Sequence, residues 1–532
     1  MFQTLSRFVP TKLHIAQPFK SEAKKTKLCL QGILVSLAVL VLMISTLPSQ
    51  AQAKKQGGTL KVGIETALRG FDSPTAQVIW PTASGTMLEP LFWLDPDTRK
   101  PIPHLGKSME MAKDAMSWTI KVVEGVKFHD GTPFNAEAVA FNYTRLLDPT
   151  KGCRCRAFIS TITKVEALDS TTVKFHLKHP WAAFPGAVTG VQVIQLMHSP
   201  TAIKKFGKDY NRNPVGTGPF KFVEWRPGDR LVVERNENYW KKGLPLLDKL
   251  IIRPIPDQES RYASLLSKQL DIIWTDRPTH ILKARKDKNV SVKQSIDNGA
   301  LTTFLNHSKP PLDDPRVRTA LQLAEDNALF VKATRKGVNP PISHPYGDLQ
   351  CPGFSWPKQN IAKAKELIKA YGKPVKVTYT HTTTARGKEA ALIRQQMWKK
   401  IGVDVETDPV DQATLIRKVV TSNFMIAGWR IVPEGDPYVD IQTVGTFYSK
   451  SPANYGKYNN PMMDKLVIGG RMTLDPKKRA GIYCKVAGLI AQDVPIIYNG
   501  ANVSNVIFLP DVKGVETPAG GFINTREIWL DR

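Results

Sequence analysis

The sequence predicts an α/β fold spread over more than one domain, and three observations carry that prediction. A chain of 532 residues exceeds what one hydrophobic core fills, since single cores stop growing at roughly 250–300 residues. In the C-terminal half, helix-like and strand-like runs alternate: Ile361 to Ala370, Val375 to Thr380, then Glu389 to Ile401, as an α/β layer requires. The run from Trp118 to Leu147 joins a strand pattern, two turns and a helix pattern within one segment. Hydrophobic residues at 42% and charged residues at 23% are those of a folded globular chain.

The N-terminus differs from the rest. Arg7, Lys12, Lys20, Lys24, Lys25 and Lys27 precede an uncharged apolar run from Leu28 to Leu47, which ends at Pro48 and then Ala51-Gln52-Ala53. A basic region, an apolar core and a small-x-small site predict a secretory signal over 1–53, cleaved after Ala53. The competing reading is an uncleaved anchor, because the apolar run is nearly long enough to span a bilayer. Cys29 stands at the start of that run instead of its end, which does not fit a lipoprotein cysteine.

Beyond Ala53, Gly57 to Ile64 reads as a first strand. Glu89-Pro90-Leu91-Phe92 leads into a region of short strands and turns that includes Thr172 to Leu177 and extends to about Pro214. Within it, Trp118, Ile120 and Val122 alternate with Thr119 and Lys121, the period of a half-buried strand. Glu124-Gly125 and Asp130-Gly131 supply turn residues. Asn135 caps a following helix, Glu137 suits its positive first turn, and Val139, Tyr143, Leu146 and Leu147 recur on one face. Further on, Leu301 to Leu305 is strand-like; Asp314 and Pro315 start a helix with Val317, Ala320, Leu321 and Ala324 on its apolar side. The helix from Ile361 stops near Gly372, and the one from Glu389 is closed by Gly402.

The formal charge is +27, and the basic residues before the apolar run account for little of it, leaving about +22 on the remainder. That surplus suits a repelling soluble surface or a cleft for anionic ligands. The basic residues form no arginine-rich block or nucleic-acid motif, so no nucleic-acid partner is expected. Enzyme signatures are missing too. There is no G-x-S-x-G elbow and no H-E-x-x-H, and Pro101 takes the place of the upstream glycine that Gly106-Lys107-Ser108 needs for a phosphate loop. The ten histidines offer no compact cluster, so neither a metal nor another cofactor is expected. Cys153-Arg154-Cys155 alone is weak evidence for a metal or redox site. Cys153, Cys155, Cys351 and Cys484 allow three pairings in an oxidising compartment.

The block W-T-I-K-V-V-E-G-V-K-F-H-D-G-T-P-F-N-A-E-A-V beginning at Trp118 resembles the signature of the family 5 extracellular solute-binding proteins, the peptide- and nickel-type receptors of ABC importers. Other segments agree in order: Gly57-Gly58-Thr59-Leu60, Val215-Gly216-Thr217-Gly218-Pro219-Phe220, Asn238-Tyr239-Trp240, and Asn454 to Pro461. The resemblance implies a type II periplasmic binding protein fold, with two main lobes, a hinge and an additional N-terminal subdomain. It divides the mature chain into a first lobe (54–95, 215–305 and 501–532), a subdomain (96–214) and a C-terminal α/β lobe (306–500), with crossings near Asn306 and between Asn499 and Asn505. It implies a small-molecule or peptide-like solute, ABC permease and ATPase partners, a periplasmic monomer, and contact with the membrane only through the permease. A Cys351–Cys484 bridge is one hypothesis, because both fall in one implied lobe.

The solute contacts are expected in the block from Ala427 to Pro437, which is similar to the family's G-W-x-x-D-x-x-D-P loop. In peptide receptors the Asp shortly after the Trp pairs with the ligand ammonium; here that place holds Val432 or Pro433. A buried ammonium without a carboxylate is costly, so the expected solute is anionic or amino-blocked, for example a modified peptide or an amino-acid conjugate. Trp429 is a candidate for stacking, against a core role. Arg430 is a candidate carboxylate partner, against a solvated surface role. Asp436, like Glu434, is a substitute ammonium partner if the loop is reshaped, although Asp436-Pro437 reads first as a turn former. Arg386 stands near where peptide receptors place a carboxylate-binding arginine, though its spacing to Gly402 differs, and Trp80 falls in a loop facing the cleft or packing between lobes. The alternatives are a metal-chelate or opine receptor, and an exported sensor or chaperone without a transport role.

Overall fold

Ten strands form one continuous sheet, and the direction of each follows from its pairing. Across the sheet the order is Phe220–Arg226, Arg230–Arg235, Lys249–Pro254, Thr59–Ile64, Ile272–Trp274, Ile496–Phe508, Ser291–Leu305, Ile426–Ile431, Val375–Thr382 and Val403–Val410. The structure, a computed structural model, describes residues 54–74, 81–95, 97–153, 156–189, 195–342, 344–347, 349–431, 435–516 and 522–532. The expected signal segment 1–53, Trp80, Cys155, Val432, Pro433 and Glu434 lie outside the described residues.

Two strands belong to both halves of this sheet. Ser291–Ile296 pairs antiparallel with Val503–Phe508, on whose other side lies Ile272–Trp274. Ala300–Phe304 pairs with Ile496–Ala501 and, on its other edge, with Ile426–Ile431. Between the two stretches the register breaks from Ile296 to Ala300, which leaves Asp297, Asn298 and Gly299 at the joint. Asn306 lies beyond it, buried, donating from Nδ2 to the carbonyls of Ser422 and Phe424.

In the N-terminal half, Thr59–Ile64 runs parallel to Lys249–Pro254 and Ile272–Trp274. In the C-terminal half, Val375–Thr382 runs parallel to Val403–Val410 and Ile426–Ile431. Because the connecting pairs are all antiparallel, the two parallel sets point toward one another. Their carboxyl ends face each other across the joint, the place where open parallel sheets bind ligands.

Alternation sorts side chains to the two faces of the C-terminal half. Leu305, Ile426 and Ile497 join the core of the helices Pro315–Ala324 and Ala385–Lys399, while Phe304, Ala427 and Ile496 join that of Pro461–Met472 and Pro476–Asp493. The bridge Cys351–Cys484 forms, with Cα atoms 5.3 Å apart, tying a long loop to the last of these helices.

The Trp118 to Leu147 block builds the inserted subdomain. Strand Ser117–Val122 lies in a four-stranded antiparallel sheet with Gly106–Met111, Thr172–Leu177 and Ile162–Ala167. Helix Ala136–Leu147 packs Val139, Tyr143 and Leu146 on it, and Asn135 caps that helix by accepting from Ala138 N at 3.0 Å. Where the chain returns from the subdomain, Gly216 and Gly218 run against the backbone of Met87: a Cβ at either would sit 2.2 or 2.6 Å from its carbonyl oxygen. The glycine motif is therefore a packing device.

A buried carboxylate fastens that return. Glu89, fully buried, accepts hydrogen bonds from His104 Nε2 (2.7 Å), Tyr239 OH (2.6 Å), Thr217 Oγ1 (2.9 Å) and Trp240 Nε1 (3.0 Å). Burial pushes its pKa up, but His104, Tyr239 and Arg526 outweigh burial and bring it down to about 2, against 4.5 ordinarily. Burial holds His104 below its usual range; Nε2–H donates to Glu89, and Nδ1 accepts from Arg526 Nη1 at 3.3 Å. Glu89→Ala is expected to cost ~3–5 kcal/mol in denaturant unfolding at neutral pH, because four donors lose a buried charged acceptor. The contribution is present above the unfolded pKa of 4.5 and is lost as pH falls toward about 2. A variant as stable as the parent would contradict this role.

Candidate functional site

The ends of the facing strands carry charge of opposite sign. On the N-terminal side, Glu65 follows directly on Thr59–Ile64, and Asp276-Arg277 follows Ile272–Trp274. On the C-terminal side, Arg386 sits in the first turn of Ala385–Lys399, just past Val375–Thr382, and Arg430 is the penultimate residue of Ile426–Ile431. Arg335, the last residue of helix Asn327–Arg335, comes to the same place.

Asp276 links the two sides. Its Oδ2 contacts Arg386 Nη1 and lies 3.9 Å from Arg335 Nη1, while Oδ1 accepts from Gln258 Nε2 at 2.9 Å. Beside it, Arg277 Nη1 donates to Glu389 Oε1 at 3.1 Å, a second pair across the joint. Burial lowers the Arg386 pKa, Glu65 opposes that, and Arg430 adds to it. Arg335 is pushed down to about 10, by burial first and then by Arg430, with Glu389 and Glu65 pulling the other way. These mutual effects place three guanidiniums of the C-terminal half within one field. Arg335 is buried, and its Nε has no hydrogen-bond partner among the described residues. Such a donor is satisfied by an incoming acceptor.

The joint itself holds Asp297, which accepts from Gly299 N at 2.9 Å and from Asn502 Nδ2 at 2.7 Å. Burial raises its pKa to about 6, against lowering by those two bonds and by Arg430 and Arg99. Asn298 Nδ2 donates to the Asp436 carbonyl at 2.8 Å.

Of the residues expected from sequence, Arg386 and Arg430 therefore converge. The pleat sends Trp429 and Arg430 to opposite faces: Trp429 is half-buried with its ring 6.0 Å from Phe304 and 6.4 Å from Tyr455, whereas Arg430 is exposed. Asp436 is occupied elsewhere. It is buried and accepts from Arg479 Nη1 at 2.5 Å, in a network where Asp440 takes Arg471 (2.9 Å), Tyr483 OH (2.8 Å) and Trp181 Nε1 (3.0 Å). Trp181 belongs to the inserted subdomain, so this network docks the subdomain on the C-terminal half. A free carboxylate for a solute ammonium is thus not available at Asp436. Trp80 lies outside the described residues.

Sequence reading missed Glu65, Asp276, Asp297 and Arg335. For the first two, the available signal was position: each stands within two residues of the carboxyl end of a parallel strand. Among the described residues, no group of three or more His, Cys, Asp or Glu is placed to hold a metal ion.

The family described as bacterial extracellular solute-binding proteins, family 5 Middle, matches residues 100–454. GsiB of Pectobacterium atrosepticum, a glutathione-binding protein, is 29% identical over 435 residues, 78% of this chain and 83% of its own. GsiB of Shigella flexneri serotype 5b is 28% identical over 488 residues, 84% of this chain and 93% of its own. Among solved structures, the periplasmic binding protein DppA of Helicobacter pylori, in complex with the peptide STSA, aligns with a TM-score of 0.80 at 24% identity, over 91% of this chain and 100% of that one. The ABC transporter substrate-binding protein CtaP of Listeria monocytogenes aligns at 0.76 with 26% identity, over 90% and 100%. The likeness in fold establishes the type II periplasmic binding protein architecture.

The titration of Asp297 gives this joint a pH signature. A folded pKa of about 6 lies above the ordinary 3.8, so stability is fully present below about 3.8 and declines as pH rises through about 6. Asp297→Asn removes that decline: relative to the parent, the variant gains up to ~2 kcal/mol between pH 4 and pH 7. Parallel pH profiles of unfolding free energy would contradict a buried, raised carboxyl.

Proposed function

Starting from the fact that the chain belongs to the bacterial extracellular solute-binding proteins of family 5, we propose that it captures a peptide-like solute by its carboxylate between the facing strand ends and delivers it to an ABC permease. The convergence of Arg335, Arg386 and Arg430 at that place is the observation that carries the reading. Guanidiniums bind carboxylates bidentately and keep their charge when partly buried. The relatives named for glutathione support a peptide-like solute, since glutathione offers two carboxylates to such a cluster.

The joint supplies the motion. Among the described residues only two strands cross it, and both lose register there, so rotation about 297–299 and 501–502 opens or closes the gap while each core stays packed. We assign the first lobe to 54–95, the strands from 215 to 296 and the end of the chain from 502, with the subdomain over 96–214 and the C-terminal lobe between. A solute that touches both lobes shifts this equilibrium toward closure. The segment 1–53 is the export signal in this reading, removed after Ala53, and the mature receptor acts as a monomer outside the inner membrane. Among the described residues no helix is long and apolar enough to cross a membrane.

Native mass spectrometry of the purified protein identifies retained solute and the mature N-terminus together. A bound carboxylate-bearing molecule and a chain starting at Lys54 are expected; a chain starting at Met1 contradicts the cleavage. For the solute so found, calorimetry should show Arg386→Ala and Arg430→Ala each weakening binding ~10- to 100-fold, the loss of a charge-assisted hydrogen bond. Unchanged affinity in both would remove the cluster from the site.

A further inference from the structure

We propose that Glu65 receives an ammonium group of the solute, so that the solute is a zwitterion held by its carboxylate on the C-terminal lobe and by its ammonium on the N-terminal lobe. This rests on the carboxylate-receptor reading above and extends it. The position after Trp429 where peptide receptors carry the ammonium-binding Asp holds Val432 or Pro433, Asp436 is committed to Arg479, and Glu434 lies outside the described residues. A different carboxylate is uncommitted. Glu65 is half-buried at the carboxyl end of Thr59–Ile64, and its charge acts on Arg261, Arg335 and Arg386. Yet no hydrogen bond or ion pair reaches it among the described residues.

The other acids of the joint are already engaged: Asp276 with Arg386 and Gln258, Glu389 with Arg277, Glu259 with His280, and Asp297 with Gly299 and Asn502. On the opposite side, the Arg430 side chain likewise makes no hydrogen bond or ion pair among the described residues, and Arg335 keeps an unmatched Nε. Among the described residues, one lobe thus offers a carboxylate with no hydrogen bond or ion pair, and the other offers unmatched guanidinium donors on Arg430 and at Arg335 Nε. A neutral solute would leave both charges desolvated and unmatched when the lobes close, which is unfavourable. A solute carrying only negative charge would set it against Glu65. A molecule with separated ammonium and carboxylate groups satisfies both ends, and because the two ends sit on different lobes, it alone gains both contacts in the closed form.

Calorimetry with two matched series tests this: glutathione and a set of di- and tripeptides with free amines, and the same compounds N-acetylated. The parent protein should prefer the free amine by about 10-fold or more, and Glu65→Gln should shrink that preference to within about 3-fold while leaving the dependence on Arg430 intact. If acetylated and free compounds bind the parent equally, Glu65 has no such role and the carboxylate receptor stands; this comparison needs no variant. A folded Glu65→Gln that weakens both series equally likewise strips Glu65 of the role. If neither series binds the parent at all, the carboxylate-receptor reading falls and this inference falls with it.

Discussion

The antiparallel pairing of Ser291–Leu305 with Ile496–Phe508 is the constraint on which the rest of the molecule depends. Each strand begins in one half of the sheet and ends in the other. Since every neighbour of this pair is fixed by hydrogen-bond register, the pair decides that the parallel strands of the two halves run toward each other. The facing carboxyl ends, the charged groups that follow them and the narrow crossing between two packed cores are consequences of that arrangement. Had either long strand stopped at the register break, the halves would be two domains on a loose tether.

Charge at the joint is arranged at modest electrostatic expense. Three arginines close together repel, and burial adds to that; the lowered pKa values of Arg335 and Arg386 register both effects. Asp276 and Glu65, delivered from the other half, offset the repulsion without neutralising every donor. Two buried carboxylates away from the joint are well supplied with donors. Glu89 has four donors, and Asp440 is shared by Arg471, Tyr483 and Trp181. These two carboxylates fasten the subdomain, whereas at the strand ends Arg335 keeps an unmatched Nε among the described residues.

Features governed by neighbours in the chain were legible in the sequence. Asn135 and Asp314 cap their helices as their positions imply, accepting from Ala138 N and Arg316 N, and the subdomain strand at Ser117–Val122 follows its alternation. The place of Arg386 at the turn from strand to helix was legible through the family pattern. Arg335 was not, because nothing local distinguishes a basic residue at a helix end from one that tertiary packing carries to Asp276. Asp436 read as a turn residue or a ligand partner, and its actual partner, Arg479, lies 43 positions later on helix Pro476–Asp493. Trp429 and Arg430, adjacent on one strand, point to its opposite faces, as the pleat requires. Of the three possible cysteine pairings, the structure forms the bridge between Cys351 and Cys484.

The most direct test of a receptor built on facing strand ends is a crystal structure of the protein with the solute it retains on purification. Solute density is expected between the carboxyl ends of Thr59–Ile64 and Ile426–Ile431, with a carboxylate against Arg386, Arg430 or Arg335 and the crossing at 297–299 bent relative to the solute-free form. Density lodged anywhere else, with all three arginines untouched, would contradict a receptor of this kind.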